Sequence, residues 1–517
     1  MTGDGGAGAG PRASIETGRL LGRWEDGVAI FRGVPFGAPP VGSWRWRPPR
    51  RPDPWDGERP ALEFGPAPLQ SQPPRDSIIY QVNFNDRRPL MISEDCLYAN
   101  VWTPEPSRSA ALPVMVWLHG GGNRYGHGSQ DIHDGRAIAG RGVVVVTLNY
   151  RLGALGFLAH PELAAEDEHG ASGNYGLLDI VAALTWVRDN IAAFGGDPAK
   201  VTVAGNSAGA AHICHLMAAP GTRSLFRAAI GQSAAGIYRA EGPMPDQAAA
   251  QEQGMRYAAE FGGRDLAGLR RVSGVELILK GHFGPVVDGR VLVRDTQHVF
   301  EAGGQHPVPL LVGSNTDEGS VYTRPGAATD VAARLAADLA AADVAARPAA
   351  GFAGVYPTGD PVEAARSARL FTGESRFVYP VWRWATTHAA TTGAPTWVYR
   401  FARTPPLPAG LDLASPPDGR PGYGVFHTAE LPYTGDNLHR LAWPWQDADR
   451  ELAAAMGDAW ARFATHADPN GGTLPVWDVF TGGDTSPVLV FGDTGISRGT
   501  TDRLDAMRLL DDLPRPI

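Results

Sequence analysis

Seven short apolar runs constrain the fold of this 517-residue chain more than any other feature: 114–118, 143–148, 201–204, 228–230, 309–312, 397–401 and 488–491. Each reads as a strand buried on both faces. Helix-length segments lie between them. One spans 177–194, where Leu178, Val181, Leu184 and Val187 recur at helical spacing and Gly195-Gly196 stops the run. Strand, helix, strand in succession predicts a large, mostly parallel sheet with helices on both faces, an α/β fold with inserted loops and helices. A further amphipathic helix is expected over 327–350, with Val331, Leu335 and Leu339 at four-residue intervals and Pro348 ending it. The Pro-rich stretches 48–60 and 405–421 are flanked by apolar and aromatic residues and read as loops wrapped over one body. With no internal repeat and no boundary signal, the organisation expected is a disordered tail over 1–14 and one elaborated domain over 15–517.

Bulk properties exclude several classes of function. Hydrophobic residues make up 43% and charged residues 20%, the balance of a globular protein with a sizeable core. The net charge is −9 and the 46 basic residues form no stripe, so no surface suits a nucleic-acid backbone. No run of about 18 apolar residues occurs, which argues against a membrane span. The opening MTGDGGAGAGPRAS has neither a basic n-region nor an apolar h-region, so a cytoplasmic protein is expected. Heavy use of Ala, Gly, Arg and Pro fits a GC-rich bacterial genome.

Chemistry enters with Gly205-Asn206-Ser207-Ala208-Gly209, a G-x-S-x-G motif directly after the run 201–204 and before a helix-like stretch, 210–217. A strained strand-to-helix turn of this kind lifts the serine out of the sheet, and its glycines avoid clashes with crossing backbone. In a chain with 65 glycines, chance alone supplies about 0.3 such matches, so neighbouring features must decide. Upstream, Val116-Trp117-Leu118 runs into His119-Gly120-Gly121-Gly122. Acyl transfer needs amide donors aimed at a developing oxyanion, and the amides of Gly121, Gly122 and Ala208 are the candidates. A serine hydroxyl also needs a base, and the base needs a carboxylate to orient it. Of fourteen histidines, His427 stands out between Tyr423-Gly-Val-Phe426 and Thr428-Ala-Glu430. The acid is Glu318 or its neighbour Asp317, just beyond the run 309–312. His212 and His215 form an H-x-x-H pair, but no third ligand lies at helical spacing, so packing is expected there and no metal or other cofactor is called for.

These motifs, with others in the same order, make the chain resemble the type-B carboxylesterases, the α/β-hydrolase family that includes bacterial para-nitrobenzyl esterases and animal cholinesterases. The resemblance covers almost the whole chain. It runs through Phe31-Arg-Gly-Val-Pro-Phe-Gly-Ala-Pro-Pro40, Glu94-Asp-Cys-Leu-Tyr98, Asn100-Val-Trp-Thr-Pro104, Asn149-Tyr-Arg151 and Gly173-Asn-Tyr-Gly-Leu-Leu-Asp179. It continues through Phe194-Gly-Gly-Asp-Pro198, Pro285-Val-Val-Asp-Gly289, Asp317-Glu-Gly-Ser320 and Ala467-Asp-Pro-Asn470. By position it implies Ser207 as nucleophile, His427 as general base and Glu318, not Asp317, as the acid. It implies ion pairs of Arg45 with Glu94 and Arg151 with Asp179. The substrate implied is a small ester, handled by a monomer or a homodimer; transfer of the acyl group to another acceptor, carbamate or amide hydrolysis, and a non-catalytic adhesion role are the alternatives within the same family.

Departures from the family pattern mark where this chain is its own. Asn206 stands where the family commonly has Glu, removing a negative charge beside the base, and Asn123-Arg124 stands where an aromatic is usual after the glycine loop. Asn123 and Asn206 are therefore candidate substrate-contacting residues. The stretch 80–93 holds Tyr80 and Phe84 but no Trp, which disfavours a choline ester. Cys96 matches a position that is disulfide-bonded in secreted relatives, but Cys214 is not its usual partner, so two separate buried thiols are expected.

Overall fold

The computed structural model describes residues 10–263, 265–322, 352, 354–411 and 422–513; the helix expected over 327–350 lies outside them. The central sheet has eleven strands: β1 Arg23–Glu25, β2 Val28–Pro35, β3 Tyr98–Thr103, β4 Leu112–Leu118, β5 Val144–Leu148, β6 Gly196–Asn206, β7 Ala228–Gln232, β8 Leu310–Asn315, β9 Thr396–Ala402, β10 Val488–Gly492 and β11 Gly495–Gly499. Their spatial order is β1-β2-β3-β5-β4-β6-β7-β8-β9-β10-β11. From β5 through β10 every neighbouring pair is parallel, and these seven strands are the seven apolar runs. The edges are antiparallel: β1, β2 and β3 on one side, β11 on the other.

Alternation along β4 shows why the runs had to be apolar throughout. Val114, Val116 and Leu118 pack on one face with Leu177, Ile180 and Leu184 of helix α1 (Tyr175–Asn190) and Ile213 and Met217 of α2 (Ala208–Ala218). Met115 and Trp117 point to the opposite face, against Met456, Trp460 and Phe463 of α3 (Asp447–His466). A strand covered on both faces has no position left for a polar side chain. The segment expected as one helix over 177–194 is α1 followed by a tighter 3-10 turn, Ile191–Phe194. Gly195 ends it at φ 84°, where an added Cβ would lie 1.9 Å from the Glu105 carbonyl oxygen.

One expectation is corrected at the N-terminus. Residues 12–14, assigned to a disordered tail, belong to a strand, Arg12–Ile15, paired antiparallel with Gly18–Leu21. Ala13 and Leu20 bury their side chains in the larger core, which is what orders so short a hairpin. Glu58–Pro60, inside a stretch read as loop, pairs in parallel with Gly18–Leu21.

Both expected ion pairs are present. Arg45 grips Glu94 through two hydrogen bonds of 2.7 and 2.6 Å and donates to the Val272 carbonyl at 2.8 Å. Arg151 grips Asp179 at 2.8 and 2.7 Å, both side chains fully enclosed. Cys96 and Cys214 are buried, free thiols. No described helix is long and apolar enough to cross a membrane.

Candidate active site

The strand order places the site. β5 lies on one side of β4 and β6 on the other, so the chain reverses direction across the sheet at β4, and a crevice opens beyond the carboxyl ends of those strands. The glycine loop leaves the end of β4 and Ser207 leaves the end of β6. Glu318 follows β8 and His427 lies in the connection beyond β9.

Ser207 has φ 54° and ψ −124°, a conformation seldom taken by a residue with a side chain. Its amide donates to the Gln232 carbonyl on β7 at 2.8 Å, and α2 begins with the next residue, so the turn is pinned from both sides. Gly209 is obligatory: an added Cβ would sit 2.1 Å from the Leu118 carbonyl oxygen and 2.8 Å from that of His119. The crossing strand end is thus in contact with the turn, which is how the glycine loop and the serine come to share one wall.

His427 Nδ1 and Glu318 Oε2 are 2.6 Å apart, both side chains buried. An ionised carboxylate only accepts, so Nδ1 carries the proton and Nε2 keeps its lone pair. Among the described residues Nε2 is buried without a partner. The second oxygen of Glu318, Oε1, accepts from the Asn315 amide at 2.7 Å, which fixes the carboxylate. The ring of Phe377 lies 4.4 Å from the imidazole and that of Tyr322 at 5.5 Å, keeping water off that side. Asp317, the rival acid, instead accepts from the Val425 amide at 3.1 Å and bridges in β fashion to Phe426. It anchors the loop that carries His427.

Ser207, His427, Gly121, Gly122, Ala208, Asn123 and Asn206 all line one cavity of about 730 Å³. Among the described residues the amides of Gly121, Gly122 and Ala208 donate to no protein acceptor. Behind them His119, buried and neutral with its pKa lowered by burial to about 4, stacks on Tyr150 with ring centroids 4.3 Å apart. The Tyr150 hydroxyl donates to the His119 carbonyl at 2.8 Å, bracing the start of the loop. Phe84 closes another part of the wall, edge-on to Tyr125 at 5.4 Å.

The two asparagines differ in what they do. Asn123, at φ 60°, pairs its side-chain oxygen with His212 Nε2 at 2.7 Å, so the first histidine of the H-x-x-H pair steadies the residue next to the glycine loop. His215 bonds the Thr296 hydroxyl at 2.7 Å. Asn206 donates its side-chain amide to Glu430 Oε1 at 2.8 Å. Glu430 also accepts from Gln232 at 3.2 Å and from Asn315 at 2.5 Å. It is fully buried; burial raises its pKa above the ordinary carboxylate range, and the nearby charge of Glu318 raises it further. Sequence reasoning gave no role to Glu430, Gln232 or Asn315, and read His212 only as packing. Only Glu430 had a visible signal, as a carboxylate one helical turn past His427.

Known proteins resemble this chain along most of its length. Residues 9–504 match the carboxylesterase family. The fumonisin B1 esterase of Sphingopyxis macrogoltabida is 37% identical over 491 residues, covering 88% of this chain and 82% of that protein. The para-nitrobenzyl esterase of Bacillus subtilis is 34% identical, covering 88% of this chain and 90% of its own length. A solved carboxylesterase structure from Geobacillus stearothermophilus superposes with a TM-score of 0.79 at 31% identity, covering 96% of this chain and 99% of that one.

Proposed function

Because this chain belongs to the carboxylesterase family and is a carboxylic ester hydrolase, we propose that hydrolysis runs through an acyl-enzyme on Ser207. The carrying observation is the buried Glu318–His427 bond of 2.6 Å, which leaves Nε2 as a lone-pair nitrogen in the wall of the cavity that holds Ser207. In the first step His427 Nε2 takes the hydroxyl proton as Oγ attacks the ester carbonyl. Glu318 stays ionised and stabilises the imidazolium through Nδ1–H. Negative charge moves to the carbonyl oxygen, which the amides of Gly121, Gly122 and Ala208 receive without having to reorient. Collapse breaks the bond to the alcohol, which leaves with the proton from Nε2. Water then repeats the sequence on the acyl-enzyme, freeing the acid and restoring the serine.

Asn206 and Glu430 modify this scheme from behind. Where the family commonly places a carboxylate before the nucleophile, an amide here donates to the carboxylate of Glu430. The carboxylate near the base is thus Glu430, held behind Asn206 by side-chain amides of three strand ends. Asn123 acts as a fixed wall residue beside the oxyanion amides. A fluorophosphonate probe tests the assignment: a single adduct is expected on Ser207 and none on Ser207→Ala. Wild-type turnover of a 4-nitrophenyl ester by folded Ser207→Ala would refute it.

A further inference from the structure

Among the described residues the cavity is lined by four charged residues, and three of them are arginines: Arg124, Arg239 and Arg376, with Glu241 as the one acid. In a chain whose net charge is −9 this is a local reversal of sign. The four are gathered rather than scattered, because all of them act electrostatically on His282, another residue of the same wall. Burial and then Arg124 hold that imidazole below its ordinary pKa, so it stays neutral and the positive charge there is the arginines' own.

Their partners are few. Arg376 lies 3.8 Å from Glu241, both side chains about half exposed, so the contact is a loose one. Arg124 and Arg239 make no ion pair, side-chain hydrogen bond or ring contact among the described residues. Elsewhere, arginines such as Arg45, Arg151 and Arg403 are locked onto carboxylates. A guanidinium presents a planar fork that suits an anionic oxygen group, and unpaired ones on the wall of a cavity are available to a ligand. Each is also tied to the reacting centre. The Arg124 amide donates to Gly121 at 3.0 Å within the glycine loop. Arg376 precedes Phe377, whose ring faces His427, and Arg239 follows the β7 segment that holds the Ser207 amide.

We propose that this cavity selects esters bearing a carboxylate a few bonds from the scissile carbonyl, with Arg124, Arg239 and Arg376 holding that anion. The proposal rests on the reading of Ser207 as the nucleophile of the same cavity. The carboxylate can sit on the acyl side or on the alcohol side, and two pairs of synthetic esters separate these. One compares 4-nitrophenyl hydrogen glutarate with 4-nitrophenyl valerate; the other compares 3-carboxyphenyl acetate with phenyl acetate, each corrected for spontaneous hydrolysis.

A preference in kcat/KM of about tenfold or more for the charged member is expected in one pair, expressed mainly in KM and weakening as ionic strength rises. In the triple variant Arg124→Gln, Arg239→Gln, Arg376→Gln the charged-to-neutral ratio should fall to about one, and the corresponding Lys variants should restore part of it. Equal or better turnover of the neutral ester in both pairs would overturn the proposal and leave the esterase reading standing. Failure to turn over any of the four, with no fluorophosphonate adduct on Ser207, would overturn both.

Discussion

The floor of the cavity and its rim are built on opposite principles. At the floor, His427, Glu318, Glu430, Asn206, Gln232 and Asn315 are buried, and their contacts are short and mutual. At the rim, Arg124 and Arg376 are exposed and Arg239 is half-buried, with one loose side-chain contact among the three within the described residues. A reaction that moves a proton and develops an oxyanion benefits from groups already desolvated and aimed. Recognition of a substrate's outer part needs charge within reach, and it can be altered without disturbing the sheet. On the reading proposed above, the floor is built for the chemistry and the rim for recognition.

Several substitutions would break or sharpen that contrast. The largest effect is expected from Glu318→Gln, which leaves the packing but permits the wrong imidazole tautomer; kcat should drop by about 10⁴-fold with little change in KM. A stopped-flow or discontinuous assay of a 4-nitrophenyl ester measures it, and a loss confined to KM would place Glu318 outside the chemistry. Next comes Asp179→Ala, which strands Arg151 in a region with no solvent. Unfolding free energy should fall by about 3–5 kcal/mol in urea titrations, while the folded fraction keeps its KM; this would show that scaffold and rim are separate.

Glu430→Gln should lower kcat about tenfold, because one of the two acceptor oxygens that hold Asn206, Gln232 and Asn315 becomes a donor. Its stability effect has a definite sign. The folded-state pKa of Glu430 is raised, so the fold binds its proton more tightly than the unfolded chain does, and stability is lost as pH rises from the ordinary carboxylate range through the raised value. The glutamine variant should gain on wild type across that window and not below it, as urea midpoints at a series of pH values will show. The smallest effect is expected from Arg376→Gln alone, about threefold in the charged-to-neutral ester ratio. A larger effect on kcat than on this ratio would move Arg376 from rim to floor.

The same contrast explains what could be read from the sequence. The seven parallel strands were visible because strands buried on both faces leave uninterrupted apolar runs, and Ser207 and the glycine loop because steric demands force glycine at fixed offsets. His427 and Glu318 lie 109 positions apart and were placed by ordered motifs around them, not by spacing. The network behind them left no such trace: Asn206 meets Glu430 across 224 positions and Asn315 meets it across 115, and neither amide looks unusual locally. Arg239, His282 and Arg376 converge only once the sheet has brought their connections together. The N-terminal hairpin was missed because glycines and polar residues dominate its flanks, while its order depends on Ala13 and Leu20 docking into a distant core.

Glu430 accepts hydrogen bonds from the ends of three successive strands, β6, β7 and β8, while its own backbone belongs to the loop that holds His427. It works as a rivet through the sheet. Loosening any one of those strand ends frees the others and the His427 loop together, so the site has no way to fail piecemeal. Heat inactivation and loss of the fold should trace a single curve, and the strand-end amides around the rivet should exchange their hydrogens only when the whole sheet opens.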